Sequence, residues 1–370
     1  MGYLRNFGKR TPSCTCLGAH DGVARSPQQE DKMTTRFETS RSDHPHAARG
    51  QALLRRLAAT AALALGLVGG ANAQAYPAKP VTLIIPFAAG GTVDKVGRMV
   101  QEDFRARLGQ TVVIENRAGA GGTIGTGAIV RSAPDGYTVG MIFDSFATES
   151  SMYPKLPYAP ERDLTGVSYM VRSPMVLVVP ASSRFQTLQD YVAAAKKPAT
   201  VSYASVGAGS SNQLAAELFH ETAGTSGIHT PYKGGGPAIS DLLGGHVDSM
   251  IASLPLVLPH IQGGKLRALA VTSPRRDAHL PAVPAIAETY KGFEVYSWVG
   301  MIAPARTPEA ILNRLAADMS ATLRDPKVAQ RLADGGFEVV AGGRQEMNAL
   351  VKSESQRWSR VIKSRNIVAD

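Results

Sequence analysis

The chain has 370 residues, with 40 Lys and Arg against 30 Asp and Glu, a formal net charge of +10. Ten of those basic and five of those acidic residues precede Gln74, so the other 297 residues carry only +5, dispersed, without the basic runs or aromatic–basic alternation of a nucleic-acid surface. Both cysteines, Cys14 and Cys16, also precede Gln74, which excludes disulfides and cysteine metal sites from the rest.

In chain order, the first readable feature is an export signal. Arg49, Arg55 and Arg56 precede an apolar run from Leu57 to Val68, and Ala71-Asn72-Ala73 supplies a small-x-small cleavage pattern. The run is too short to anchor stably in a bilayer. Residues 1–73 are therefore expected to be a leader, with Met33 as the start, and the mature protein to be periplasmic.

The next stretch is the most informative. In VTLIIPFAAGGTVDKVGR (81–98), a β-branched run meets a small-residue loop, and Val93, Val96, Val100, Phe104 and Leu108 follow at helical spacing. Strands are expected at 81–87, 111–116 and 137–143, with helices at 92–108 and 122–133 between them. This βαβαβ start implies a parallel sheet. A proline-bounded run, 174–180, precedes a second alternating series: helix 188–196, strand 201–206, helix 211–223, strand 228–232, helix 237–244 and strands 247–252 and 266–273. The run 294–304 echoes 174–180. The pair is expected to cross between two lobes, 76–175 with 299–370 and 176–298. The tail is helical, from Pro308 to Leu323 and from about Arg344 to Ser364.

The loops after the strands are the candidate site. A Gly-rich strand–helix corner offers unpaired N–H groups to an anion. At the first corner these are Phe87, Ala88, Gly90, Gly91 and Thr92, with Phe87 walling the cleft and Thr92 capping the helix. Asp94 reads either as favourable charge at the positive helix end or as a handle for a ligand ammonium or hydroxyl. The second corner, Ser205-Val206-Gly207-Ala208-Gly209-Ser210-Ser211-Asn212, repeats the design, with Ser205, Gly207, Ser210 and Ser211 as candidates. No Lys follows its glycines, so it is not a nucleotide loop. Ser145 and Thr148 follow the third strand as further donors, Phe146 offers a stacking face, and Ser253 follows the strand at 247–252. Trp298 reads as cleft lining or hinge packing, and Lys233 as exposed. The export signal makes an imported carboxylate a better guest than a nucleotide.

Several stretches together resemble one family. YPAKPVTLIIPFAAGGTVDKVGR, VVIENRAGAGGTIGTGAIVRSAPDGYT, YASVGAGSSNQLAAELF, TPYKGGGPAISDLLGGHVD and LPHIQGGKLRALAVTS occur in the order and spacing of the Bug/TctC-type periplasmic solute receptors of tripartite tricarboxylate transporters. The resemblance covers 76–367. It implies an α/β, two-lobed type II periplasmic binding protein fold with a hinge of two crossover strands. It also implies a small carboxylate in the cleft and delivery to a membrane permease; no metal, no cofactor and a monomer are expected. The chain departs from the family pattern at Ala89, Gln213, Ala252-Ser253 and Ala147–Tyr153, changes that bear on ligand identity.

Other classes read less well. Ser205, Ser210, Ser211, His220, His229, Asp241 and Asp248 contain no nucleophile elbow, and the five histidines after Gln74 lack metal spacing, so the protein is not expected to be an enzyme such as a secreted hydrolase. A periplasmic sensor on the same fold is the alternative to transport.

Overall fold

The computed structural model describes residues 76–368, so the leader, its cleavage site and the expected start at Met33 lie outside the described residues. The chain opens as β1 (Val81–Ile85), α1 (Thr92–Leu108), β2 (Val112–Asn116), α2 (Thr123–Val130) and β3 (Thr138–Phe143). Both β2 and β3 lie parallel to β1, with Leu83 opposite Ile114 on one side and Val139 on the other. The 17-residue β4 (Leu164–Pro180) follows. The second series is α3 (Leu188–Ala195), β5 (Ser202–Ser205), α4 (Ser211–Ala223), β6 (Ile228–Pro231), α5 (Gly235–Gly244), β7 (Ser249–Ser253), α6 (Leu254–Gln262) and β8 (Leu266–Val271). The chain then runs through β9 (Tyr296–Pro304), α7 (Glu309–Leu323), α8 (Pro326–Asp334), β10 (Glu338–Gly342) and α9 (Arg344–Ser364).

The strand order is β2-β1-β3-β9-β4-β7-β5-β6, with β8 and β10 also on β4. The two extended runs are thus the central antiparallel pair, from Leu164 opposite Pro304 to Pro174 opposite Tyr296. One wing of parallel strands lies beyond β9 and the other beyond β4. Pro174 is the last residue of β4 paired with β9, and Met175 the first paired with β7. Proline lacks an N–H, so it sits where the ladder changes partner and a missing donor costs least. The strand begins ten residues before the proline-bounded run because LTGVSYMVR is extended too, a reading its mixed small and apolar residues hide.

Each wing has its own core. Val93, Val96, Val100, Phe104 and Leu108 of α1 pack on Leu83, Ile85 and Met141 and on Leu312, Leu315 and Met319 of α7. Full burial of each such side chain contributes about 1.5–3 kcal/mol. In the other wing, Tyr191, Tyr203, Leu214 and Phe219 build a second core. Trp358, Val361, Ile362 and Ile367 belong to that second core, whereas Met347 at the start of α9 packs with Ile129, Phe146 and Trp298. The sequence expectation placed all of 299–370 with the first lobe; instead α9 straps both halves, because its apolar residues change partner along its length. Trp298 is packed in the hinge, only 2% exposed.

Candidate ligand site

The first corner is built around Asp94. Its carboxylate is buried in the first turn of α1 and accepts from the Gly90 N–H (2.8 Å), Arg98 Nε (2.8 Å) and Asn116 Nδ2 (3.1 Å). Asn116 also donates to the Phe87 carbonyl at 3.0 Å, so the end of β2 clamps the loop that leaves β1. Gly90 sits at φ +81°, a conformation that glycine adopts without penalty. Desolvation would raise the Asp94 pKa, but the bonds from Arg98, Gly90 and Asn116 outweigh it and lower the value.

These bonds correct two expectations. Asp94 organises the loop with both oxygens rather than holding them open. The helix N-cap is Gly91, with no side-chain cap, and Thr92 is the first helical residue, so Thr92 does not cap α1. The Gly90 N–H is spent on Asp94 and the Gly91 N–H on the Ala88 carbonyl (3.3 Å). The N–H groups at the start of α1 have no intrahelical acceptor, and they are the donors this corner offers. Ala88, Gly90 and Gly91 are exposed and Phe87 half-buried, its ring edge-on to Phe143 at 5.9 Å.

The second corner separates its serines. Ser205 is buried, and its hydroxyl meets the Gly207 carbonyl (3.0 Å) and His229 Nε2 (2.7 Å), so it braces the loop. Ser210 is the N-cap of α4, but its hydroxyl donates to the Gly207 carbonyl at 2.6 Å rather than capping. Ser211 opens α4 and is buried beside Asp144. Ser253 is buried at the end of β7 opposite Met175, and it precedes α6 without a side-chain cap bond.

The segment after β3 joins the two corners. It runs through a 3-10 turn, Asp144–Thr148, and a short helix, Glu149–Met152. Thr148 Oγ1 lies 2.8 Å from the Ser145 carbonyl and 3.3 Å from the Gly209 carbonyl of the second corner. A Cβ built on Gly209 would stand 2.5 Å from Met152 Cε, and one on Gly121 would stand 2.7 Å from the Tyr153 hydroxyl. Gly122 in turn lies against Phe87. The packing therefore runs from Phe87 through the 119–122 turn and Met152-Tyr153 to Gly209. Phe146 is buried against Trp298 and Met347, so it presents no stacking face, contrary to the sequence expectation. Lys233 is exposed, as its turn suggested.

Of the residues weighed for hydrolysis, Ser205 meets His229, and the two aspartates Asp241 and Asp248 are bonded elsewhere. His229, which meets Ser205, stacks on Tyr203 at 5.2 Å. Asp241 accepts from the Tyr232 hydroxyl (2.8 Å), and Asp248 from the Ser202 N–H (2.8 Å) and hydroxyl (2.9 Å). Among the described residues, no group of three or more His, Cys, Asp or Glu is placed to hold a metal. Two surface depressions, of about 590 and 510 Å³, are lined by Arg357 and Arg360 of α9 and by none of the corner residues.

With this geometry in hand, residues 96–367 match the tripartite tricarboxylate transporter family receptor, TctC. The chain belongs to that family. It is similar to the periplasmic binding protein BugD, at 36% identity over 80% of this chain and all of that one, with a TM-score of 0.72. A Rhodopseudomonas palustris protein, Rpa4515 with adipate, is 32% identical over 79% of this chain and 99% of its own, with a TM-score of 0.74. MatC from the same organism, with bound malate, is 30% identical over 78% of this chain and all of its own, with a TM-score of 0.70.

Two of the stretches read in the sequence as departures from the family pattern have structural roles in this TctC receptor. Gln213 Oε1 accepts the Gly209 N–H at 2.7 Å and fixes the second corner's glycine. The 147–153 stretch is the segment that reaches between the corners. It contributes one buried acid, Glu149, and a second, Asp144, lies just ahead of it; the candidate list omitted both, which are 2% and 3% exposed. Burial pushes both carboxyls up to about 7, only partly offset for Glu149 by the hydroxyls of Thr126 (2.8 Å) and Tyr158 (2.9 Å). The legible signal was an acid at either end of an otherwise small and apolar run, Asp144 to Glu149.

Raised carboxyl pKa values mean the native state holds these protons more tightly than the unfolded chain. Their contribution to stability is full below the usual carboxylate range near pH 4 and falls as pH rises toward about 7. His220 acts with the opposite sign, since burial lowers its pKa to about 4. The expected result is therefore a difference: Glu149→Gln loses less stability than its parent between pH 4.5 and 7.5. Urea unfolding of both proteins across that range checks it, and parallel pH profiles would refute the assignment.

Proposed function

We propose that this receptor binds a small carboxylated organic compound between its two wings, leaves it chemically unchanged, and delivers it to the permease of a tripartite tricarboxylate-type transporter. The reading includes export after cleavage near Gln74 and a monomer of two lobes, 76–175 with 299–343 and 176–298, with α9 strapped across them. The observation that carries it is the pair of Gly-rich strand–helix corners joined by the 144–153 segment. In this reading the first-turn N–H groups of α1 and α4, with Thr92, Ser145 and Ser211, offer neutral donors to a carboxylate, while Thr148, whose proton goes to the Ser145 and Gly209 carbonyls, ties the linking segment to the second corner. Phe87, Ala88, Gly90, Gly91 and Gly207 shape its surroundings, Asp94, Ser205 and Ser210 hold the loops, and Ser253 lies at the margin. The bound adipate and malate of the two R. palustris proteins support the ligand class.

The test uses protein purified from the periplasmic fraction, its N-terminus read at Gln74. A thermal-shift screen with adipate, malate and related organic acids is expected to find a stabilising ligand. At about 100 times Kd the gain is about 2.7 kcal/mol, several degrees in Tm. Mass spectrometry should recover that acid unchanged; its conversion would transfer the protein to the enzymes, and a screen without a single hit would remove the carboxylate reading.

A further inference from the structure

Asp144 is a buried acid with no partner. Neither carboxylate oxygen makes a hydrogen bond, and the neighbouring Ser145 and Ser297 hydroxyls are buried and unpartnered as well. Buried polar atoms in native proteins are nearly always paired, so a cluster of orphans asks for a missing group. The cluster lies where the halves meet. Asp144 follows the end of β3, Ser297 is on the central strand β9 opposite Ser173, and Ser211 opens α4 at the second corner. The hydroxyls of Ser297 and Ser211 and the Ser145 N–H lie close enough to favour the charged carboxylate, yet none of them completes a hydrogen bond to it. The charged group that α9 brings toward Asp144 is another acid, Glu354, which accepts from Trp358 Nε1 (2.7 Å) and pairs with Arg357 (3.6 Å). Asp94 takes Arg98 as its cation, but no cation bonds Asp144 among the described residues.

We propose that Asp144 is the specificity residue of this site and receives an ammonium on the ligand, so that the receptor prefers an amino-carboxylate to the same carboxylate without its amine. This rests on the carboxylate reading above and extends it. The corners offer donors, which suit a carboxylate and do nothing for an acid. Two hydroxyls and an N–H already face Asp144 and none carries a charge, so a further hydroxyl supplies less than a positive charge does. An ammonium has three donors, enough to engage both Asp144 oxygens and one serine oxygen.

The test compares matched probes on the full mature protein by calorimetric titration: L-aspartate against succinate, L-glutamate against glutarate, and L-phenylalanine against 3-phenylpropanoate. At least one amino acid is expected to bind tenfold or more tightly than its amine-free partner. Asp144→Asn, close to isosteric, is expected to weaken that amino acid at least tenfold while leaving the amine-free acid unchanged or tighter. Should the variant not fold, the preference within each matched pair on the parent decides alone, and an amine-free acid that binds equally or better overturns the proposal. Equal weakening of both members of a pair by Asp144→Asn overturns it too, since that marks a structural acid. If no carboxylate of either kind binds, the carboxylate reading falls and this proposal with it, whereas tight binding of succinate or glutarate alone removes only the proposal.

Discussion

Asp94→Ala is expected to lower the unfolding free energy by about 2–4 kcal/mol, because three donors lose one buried acceptor. Asn116 Nδ2 and the Gly90 N–H carry most of this, since the Arg98 side chain is over half exposed and its ion pair is screened by solvent. Removing the carboxylate also frees the Phe87–Gly91 loop from the end of β2, so the first corner loses its shape as well as its charge. The pH dependence has a definite sign. A carboxylate held below its usual range contributes stability that is present above about pH 4 and lost as pH falls through its lowered native value. Urea unfolding at pH 7 and pH 3 should therefore show a large gap between parent and Asp94→Ala at neutral pH and a narrower one in acid. A variant as stable as its parent at pH 7 would show that the loop holds itself, and Asp94 would return to being a ligand handle.

Gly209→Ala is expected to cost about 2–4 kcal/mol through two separable terms. Gly209 has φ +73°, where a Cβ costs about 1–2 kcal/mol. The same Cβ would meet Met152 Cε, Cγ and Sδ at 2.5–2.8 Å, and pushing an added methyl into packed contacts costs about 1–3 kcal/mol, less where a flexible methionine yields. Met152→Ala in the same chain removes the steric part and leaves the backbone part, so the cycle of single and double variants should show coupling of the sign that marks relief. Unfolding of the four proteins measures it. Strict additivity would mean that the 148–152 segment does not bear on the second corner, and the packing route between the corners would lose its central link.

Much of the fold was legible along the chain. The bounds of α1, α4 and α9 follow from their 3.6-residue apolar spacing, and the first three strands from β-branched runs bounded by glycine and proline, because those periods report directly which face is buried. The elements that were missed are weaker in pattern. Helix α6 carries Pro255 and Pro259, and β10 is a five-residue strand after Gly336 whose burial comes from β4, a partner over 160 residues away in sequence. Legibility of the site was uneven. Gly-rich loops between a strand and a helix announce a corner, so both corners stood out. What each hydroxyl or carboxylate does there depends on which neighbour arrives from elsewhere: Asn116 and Arg98 for Asp94, His229 for Ser205, Trp298 and Met347 for Phe146.

By itself, then, the sequence determined the alternating α/β series, the two corners, the crossing strands and the absence of cysteine chemistry after Gln74, all of which rest on local period, composition and turn residues. Only the tertiary structure decided that Asp94 is spent on its own loop, that the end of α9 belongs to the second core, and that Asp144 is buried without a partner. Hydrogen-bond satisfaction and desolvation are properties of atoms brought together from distant parts of the chain, and no spacing along the sequence encodes them.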